Sequence, residues 1–498
     1  MASDDGGSAY AALEDRYARY ANLQNAARQL YWDEQVMMPE GGTPARSQQL
    51  STLSAVGHEL LTDDETARLL DRAEAEELDA EAAAVVREVR RQHERAANVP
   101  EALVEELTRA ASEAQPVWRE AKAEDDYASF APTLERLREL RVERAEHIDP
   151  DRSPFEVMYE DSQPYLPLSL VEGIFEDLVD ALVPLIERIE ANGEPQPSPF
   201  DGTYPEADQR AVSEAALDEL GYDRDRGRLD TAPHPFMSGN QFDARITTRY
   251  KESDPLESLG STIHEFGHAT YQLGLRDDKY ANPLGEPRSS AVHESQSRFW
   301  ENHVGRTRPF WERFLPTFVE HHGHADLTVD EVYGAFNRIY PDNLIRVEAD
   351  ELTYHLHIIL RSEVGRAFVE GDIGVDEIPQ VWNEKMDEYL GVVPETDAEG
   401  CLQDIHWTTR FAAFHGYTLG SVLAAQLDHA LRADLGDVDA LIRDGEYGPI
   451  REWMTEQVHR HGCRYPTGEL VEVATGEPLT ADYFIEYATE KFEALYGL

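Results

Sequence analysis

A mainly α-helical fold is predicted by three features of this 498-residue sequence. Apolar side chains recur at three- and four-residue spacing through long stretches, which is the period of one helix face. Chain breakers are sparse inside those stretches and gather between them. A single segment, residues 236–250 (FMSGNQFDARITTRY), carries the β-branched run of a short strand pair or hairpin.

Along the chain, residues 10–30 and 44–60 predict amphipathic helices, and the Ala/Glu/Arg-rich stretch 68–125 predicts two or three more. The run Pro167 to Ile189 opens on a proline, which suits a helix start. Gly193 to Tyr204 is rich in Pro and Gly and reads as a surface connection. The chain is therefore divided into 1–200 and 201–498, with no requirement that the two parts fold separately. A helix from 255 has Asp254 as N-cap, Pro255 at its first position and Glu257 where a capping-box acid belongs. Leu256, Leu259, Ile263, Phe266 and Leu273 form its apolar stripe, and Gly274 is the expected stop. Ser289 or Ser290 caps a further helix that should run to about His303.

Composition excludes several functions. There are 98 Asp+Glu against 45 Lys+Arg, a formal net charge of -53. Such a surface repels nucleic acid and anionic lipid. The acids are dispersed through amphipathic segments, as in Asp71 to Glu94, so they describe a solvated surface rather than a binding tail. Only five residues are Lys, and this balance implies adaptation to a salty, halophilic interior where screening relieves self-repulsion. Two cysteines, Cys401 and Cys463, do not make a disulfide framework or a thiolate metal site. No window approaches 18 uninterrupted apolar residues, so no membrane span is expected. Met1 to Tyr10 has neither a basic nor an apolar leader region, and a cytoplasmic location is expected.

The chemistry sits in His264-Glu265-Phe266-Gly267-His268, an HExxH pattern. Positions i and i+4 share one helix face, so both imidazoles can bind one metal ion while Glu265 activates its water. Gly267 inside the helix costs about 1 kcal/mol relative to Ala, and a missing side chain beside the metal is one reason to keep it. The plain alternative is a solvated helix with two surface histidines. A catalytic zinc also needs a third protein ligand, and His2Glu is a standard set. Glu294, Glu286 and Glu301 are all available, and spacing alone does not choose among them.

Five ordered motifs carry a resemblance. They are Asp243-Ala244-Arg245-Ile246-Thr247, the HExxH at 264–268, His293-Glu294-Ser295-Gln296, Ile345-Arg346 with Ala349-Asp350, and Gly400 with Gln403-Asp404-Ile405-His406-Trp407. With Leu30-Tyr31-Trp32-Asp33 and His459-Arg460-His461-Gly462 near the ends, the sequence resembles the Taq-type thermostable carboxypeptidases over essentially its whole length. The resemblance implies a mainly α peptidase fold with a deep substrate groove, a small antiparallel sheet near the site and a helical N-terminal cap. It implies Glu294 as third metal ligand, Zn2+ as cofactor with Co2+ also effective, and a homodimer. It implies release of single residues from peptide C-termini with broad specificity.

Within that frame Glu265 is the general base. His406 and Tyr417 are the candidate donors to the developing oxyanion. Tyr417 lies in Phe414-His415-Gly416-Tyr417, where relatives usually have Phe-Pro-Thr-Tyr, so only the Tyr is retained. Arg346 is the preferred clamp for the terminal carboxylate, since a guanidinium pairs with a carboxylate through two hydrogen bonds. Arg245 either positions substrate or holds the sheet against the groove. Asp350, Asp404 and His293 are candidates for orienting the ligands, and His321, His322 and His324 read as a solvated loop. Two other functions compete: a metallo-oligopeptidase cutting within short peptides, and a helical metal-binding scaffold without catalysis.

Overall fold

A computed structural model describes residues 8–498, so the leader reading of Met1 to Tyr10 falls mostly outside the described residues. The first half is a succession of helices: α1 (Ala9–Val36), α2 (Thr43–Thr62), α3 (Asp64–Glu74), α4 (Ala80–Ala97), α5 (Glu101–Glu124) and α6 (Tyr127–Ile148). Then come the short α7 (Pro154–Tyr159), the long α8 (Leu168–Asn192) and α9 (Glu206–Leu220). Three strands follow, β1 (Leu229–Thr231), β2 (Met237–Asn240) and β3 (Asp243–Thr248), and then α10 (Pro255–Gly274) and α11 (Ser290–Arg298). The rest is helical again: α12 (Arg308–His322), α13 (Val329–Phe336), α14 (Thr353–Glu370), α15 (Ile378–Leu390) and α16 (His415–Leu435). Four helices close the chain, α17 (Val438–Asp444), α18 (Gly448–Gln457), α19 (Thr467–Thr475) and α20 (Asp482–Tyr496). The stretch 68–125 thus divides into three helices.

The hairpin read at 236–250 is present as β2 and β3, antiparallel, with Ser238 opposite Arg245. The sheet has a third strand that the sequence does not announce: β1 lies parallel to β3, with Leu229 opposite Ile246. Ile246 and Ala244 on β3 are fully buried and face the core that α10 also enters.

One apolar core joins side chains from Ala114 to Tyr496, taking in α5, α6 and α8 from the first 200 residues. A smaller core belongs to α1, α3 and α4 and closes against Ala281 and Leu284. Trp32 on α1 meets the sheet directly, with the Arg245 guanidinium 4.6 Å from its ring centre. No helix among the described residues is long and apolar enough to cross a membrane.

Helix α10 starts as predicted, with Asp254 accepting from the Leu256 and Glu257 amides. Glu257 does not complete a capping box. Its carboxylate turns instead to Arg249 and Lys251, which offer cations. The helix ends at Gly274, the expected stop, though without a left-handed turn there; the glycine is pressed against His459. Gly267 is also explained differently from the sequence reading. A Cβ there would lie 2.5 Å from both the Gln296 carbonyl oxygen and Ser297 Cα, so the glycine admits α11 rather than the metal. On the other side, a Cβ on Gly420 of α16 would lie 2.6 Å from Glu294 Cβ. Helix α11 is held between two glycine contacts.

Gly267→Ala should therefore destabilise the fold by about 1–3 kcal/mol, the range for overpacking a tight contact. Gly173→Ala on α8, where nothing lies within 4 Å, should be neutral or stabilising by up to about 1 kcal/mol. Denaturant unfolding of both variants checks the contrast, and equal effects would contradict the packing argument.

Candidate active site

Ser289 caps α11 by accepting from the Val292 amide, and Gln163 ties the same end through Ser290 Oγ at 2.6 Å. The helix is α-helical only to Arg298; Phe299–Gly305 continues as a π-helix, short of the regular helix expected to His303. Such wide turns concentrate near functional sites. Here the turn carries buried Phe299 and Trp300 and ends at Gly305, whose missing side chain admits Ile263 of α10.

His264, His268 and Glu294 come together, each offering a donor atom within 4.8 Å of the others. Glu294 Oε2 lies 3.8 Å from His264 Nε2 and 3.5 Å from His268 Nε2. Ligands about 2.0–2.2 Å from a tetrahedral ion sit roughly 3.3–3.5 Å apart, so the three are spaced to close on one ion. Both imidazoles present Nε2 because their Nδ1 atoms are engaged. His264 Nδ1 lies 2.9 Å from Glu301 Oε2, and His268 Nδ1 donates to the His293 carbonyl at 3.1 Å. The His293 ring stacks on His268 at 4.3 Å. Partners of this kind fix tautomer and ring direction.

Glu294 is buried, which disfavours its charge, yet His264 and Arg298 hold its carboxyl well below the usual carboxylate range. Arg298 Nε donates to Glu294 Oε1 at 2.9 Å, and Nη1 reaches Glu301 Oε2 at 3.2 Å. Arg306 donates to the other Glu301 oxygen at 3.0 and 3.2 Å. Glu265 is different. Burial raises its pKa, nearby Glu294 and Glu301 add to the rise, and the two histidines oppose it. Its buried Oε2 has no hydrogen-bond partner among the described residues. A buried, unpartnered carboxylate oxygen beside three converging ligands suits a metal-bound water as its partner. The donor set therefore fits a divalent ion with an open position.

Beside this cluster is a cavity of about 270 Å³ whose lining includes Arg298, Glu301, Arg346 and Tyr354. It places Arg346 next to the Glu294–Arg298 pair. Arg346 is also 3.6 Å from Asp404 and lies over the Phe414 ring. Asp404 accepts from Arg361 at 2.8 Å and lies 2.7 Å from His406 Nδ1, so one buried carboxylate sets both Arg346 and His406. Tyr417, in the first turn of α16, is close enough to Glu294 and Arg346 for both to act on its hydroxyl, which burial pushes above the usual phenol range. Tyr354 packs between Arg298 and Tyr417.

Other readings land elsewhere. Arg245 pairs with Asp243 at 2.6 and 2.8 Å and lies on Trp32, so it ties the sheet to α1. Asp350 accepts the Leu352 and Thr353 amides and caps the approach to α14, in the wall of the same cavity as Arg298 and Arg346 but with no bond to a ligand side chain among the described residues. Glu286 is half-buried near Tyr17 and Arg28, outside the cluster. His321 and His322 end α12 instead of forming a loop, because His322 packs on Phe318 and Tyr204. Burial lowers the His322 pKa to about 4. Arg298 was not anticipated, and Glu301 was seen only as a rival ligand. Their spacing held a signal, since 294, 298 and 301 are i, i+4 and i+7 on one helix face.

A family model described as carboxypeptidase Taq (M32) metallopeptidase matches residues 12–492. The chain is 35% identical over 491 residues to carboxypeptidase 1 of Bacillus subtilis, covering 97% of this chain and 98% of that protein. It is 36% identical over 507 residues to thermostable carboxypeptidase 1 of Thermus thermophilus, covering 98% and 99%. Among solved structures, the M32 carboxypeptidase of Deinococcus radiodurans R1 matches with a TM-score of 0.95 and 35% identity, covering 99% of this chain and 100% of that one. A Pyrococcus furiosus carboxypeptidase structure matches with a TM-score of 0.94 at 34% identity, covering 98% and 99%.

Because Glu301 orients His264 and holds Arg298, Glu301→Gln should weaken metal binding about 10- to 100-fold. Competition with a chromophoric chelator measures this directly. Wild-type affinity in the variant would remove Glu301 from the metal-holding network.

Proposed function

This chain belongs to the carboxypeptidase Taq (M32) family of metallopeptidases, and from that premise we propose that its metal is zinc, with cobalt an effective substitute, and assign its residues as follows. The protein is a metal-dependent carboxypeptidase. His264, His268 and Glu294 hold the ion, which when bound polarises the scissile carbonyl and acidifies a water. Glu265 takes the proton of the attacking water and delivers it to the leaving amine. Its raised pKa suits that exchange, since a more basic carboxylate accepts the proton more readily. His406, fixed by Asp404, and Tyr417 donate hydrogen bonds to the oxygen that gains negative charge. Arg346 pairs with the terminal carboxylate of the peptide. Arg245 fastens the sheet to the cap and does not bind substrate.

The observation that carries this reading is the convergence of two free Nε2 atoms and one ionised carboxylate, with the unpartnered carboxylate oxygen of Glu265 on the helix that carries both histidines. We extend the proposal to one continuous fold, in which residues 1–200 roof the groove, and to a cytoplasmic homodimer. The net charge of -53 motivates a requirement for high salt.

The test compares an N-blocked tripeptide bearing a free C-terminus with its C-terminal amide, in high salt. The free acid should release its last residue, and chelation should abolish the release. Glu265→Gln should lower kcat by about 10²–10⁴. Arg346→Met should lower kcat/KM on the free acid by about 10- to 100-fold, equivalent to one charge-assisted pair. Equal cleavage of the amide would move the enzyme to an oligopeptidase, and zinc binding without cleavage would leave a scaffold. On salt, circular dichroism should show structure lost on dialysis to low salt, and full retention would overturn the halophilic proposal.

A further inference from the structure

A cavity of about 830 Å³ lies in the N-terminal region, between α4, the end of α3 and the segment from the end of α6 to Tyr165, with none of the metal ligands in its lining. Five arginines line it, Arg87, Arg90, Arg91, Arg95 and Arg152. That runs against a composition of 98 acids and 45 bases. Four of the five are matched by carboxylates: Arg87 by Glu88 at 2.8 Å, Arg90 by Asp71 at 2.8 Å, Arg95 by Asp161 at 2.5 Å and Arg152 by Glu160 at 2.9 Å. Arg91 has no carboxylate oxygen within 4.0 Å among the described residues. Its one hydrogen bond to protein goes to the Glu160 carbonyl. It is half-buried, and burial together with neighbouring Arg95 lowers its pKa. A guanidinium stays charged through such a shift, so the cavity wall carries one cation without a carboxylate in contact, Glu88 and Asp161 acting on it only from beyond 4.0 Å.

Five acids share the lining, Glu74, Glu76, Glu94, Asp149 and Glu160. Glu74 and Glu94 are exposed, at 48% and 56% of their side chains, whereas Glu160, at 24%, lies as deep as Arg90 at 21% and is paired with Arg152. The inner wall is completed by Tyr165, whose ring is 5.4, 5.8 and 5.2 Å from the guanidiniums of Arg87, Arg91 and Arg288. Tyr165 has φ 60°, a left-handed conformation that costs a non-glycine residue about 1–2 kcal/mol. Strain of this kind persists where the surroundings enforce it and recurs at ligand sites. Here buried Leu166 and the bond from Thr467 Oγ1 to the Pro164 carbonyl at 2.6 Å enforce it.

We propose that this cavity binds a small oxyanion, a carboxylate- or phosphate-bearing molecule whose anionic group pairs with Arg91 and accepts from the Tyr165 hydroxyl. The site is separate from the metal and independent of the catalytic assignment. The test is calorimetric titration of the metal-loaded protein with inorganic phosphate and, separately, with succinate, at fixed salt. The wild type, Arg91→Gln and Arg90→Gln are compared, with circular dichroism as the check on folding. Saturable binding of either anion, weakened about tenfold or more in Arg91→Gln and kept in Arg90→Gln, supports the site, and the anion that binds identifies the source. Unchanged binding in Arg91→Gln would place the anion elsewhere, the metal included, and overturn the proposal. So would an equal loss in both variants, or no saturable binding of either anion by the wild type. If Arg91→Gln does not fold, Tyr165→Phe decides: a severalfold weaker affinity supports the site and an unchanged one overturns it.

Discussion

Helix α11 can approach α10 and α16 only because two side chains are missing. Gly267 meets the α11 backbone at Gln296 and Ser297, and Gly420 meets Glu294 itself. This separation decides whether a carboxylate on α11 reaches the two imidazoles on α10. With a methyl group at either point the helices must part or shift. A displacement of about 1 Å is already large for a ligand site. The helix propensity lost at each glycine, about 1 kcal/mol, is small beside the positional demand it meets. His459 supports the same contact from the C-terminal segment, with Nε2 2.9 Å from Gln296 Oε1.

Packing sets the distance, and alternating charge sets the direction. Two buried carboxylates, Glu294 and Glu301, stand beside two guanidiniums, Arg298 and Arg306. Burying such groups costs desolvation, and the gain from pairing them does not by itself stabilise a fold. What the arrangement contributes is orientation. Arg298 occupies the Glu294 oxygen that faces away from the histidines, leaving the other for a metal. Glu301 occupies His264 Nδ1, leaving Nε2. The remaining acid, Glu265, has no guanidinium of its own, and its pKa moves in the opposite direction from theirs. Asp404 works the same way at the far side of the cavity, where it gathers Arg361, Arg346 and His406.

Much of this was legible in the sequence. The helical class follows from apolar periodicity, and the start of α10 follows from Asp254 and Pro255, because caps act within one turn. The pairing of His264 with His268 follows from HExxH, since i and i+4 always share a face. Spacing leaves Glu286, Glu294 and Glu301 open as the proposed third ligand, and only the family motif favours Glu294, because the α10–α11 register is a tertiary property. Strand β1 was missed for a related reason. Leu229–Thr231 is too short to show alternation, and each of its residues pairs with one 17 positions further on, as Leu229 with Ile246. The role of Gly267 is not legible in the sequence, because the α11 backbone it admits comes from a distant segment. Arg245 sits in a family motif, but its contacts with Trp32 and Asp243 are tertiary and motif membership alone does not reveal them.

The most direct measurement is anomalous diffraction at the zinc edge from crystals of the zinc-loaded protein. The account predicts one strong peak within about 2.0–2.2 Å of His264 Nε2, His268 Nε2 and Glu294 Oε2, with a water between the ion and Glu265. A peak bound by the histidines with Glu294 turned away, or bound by Glu301 in its place, would contradict the claim that the α10–α11–α16 packing selects the third ligand.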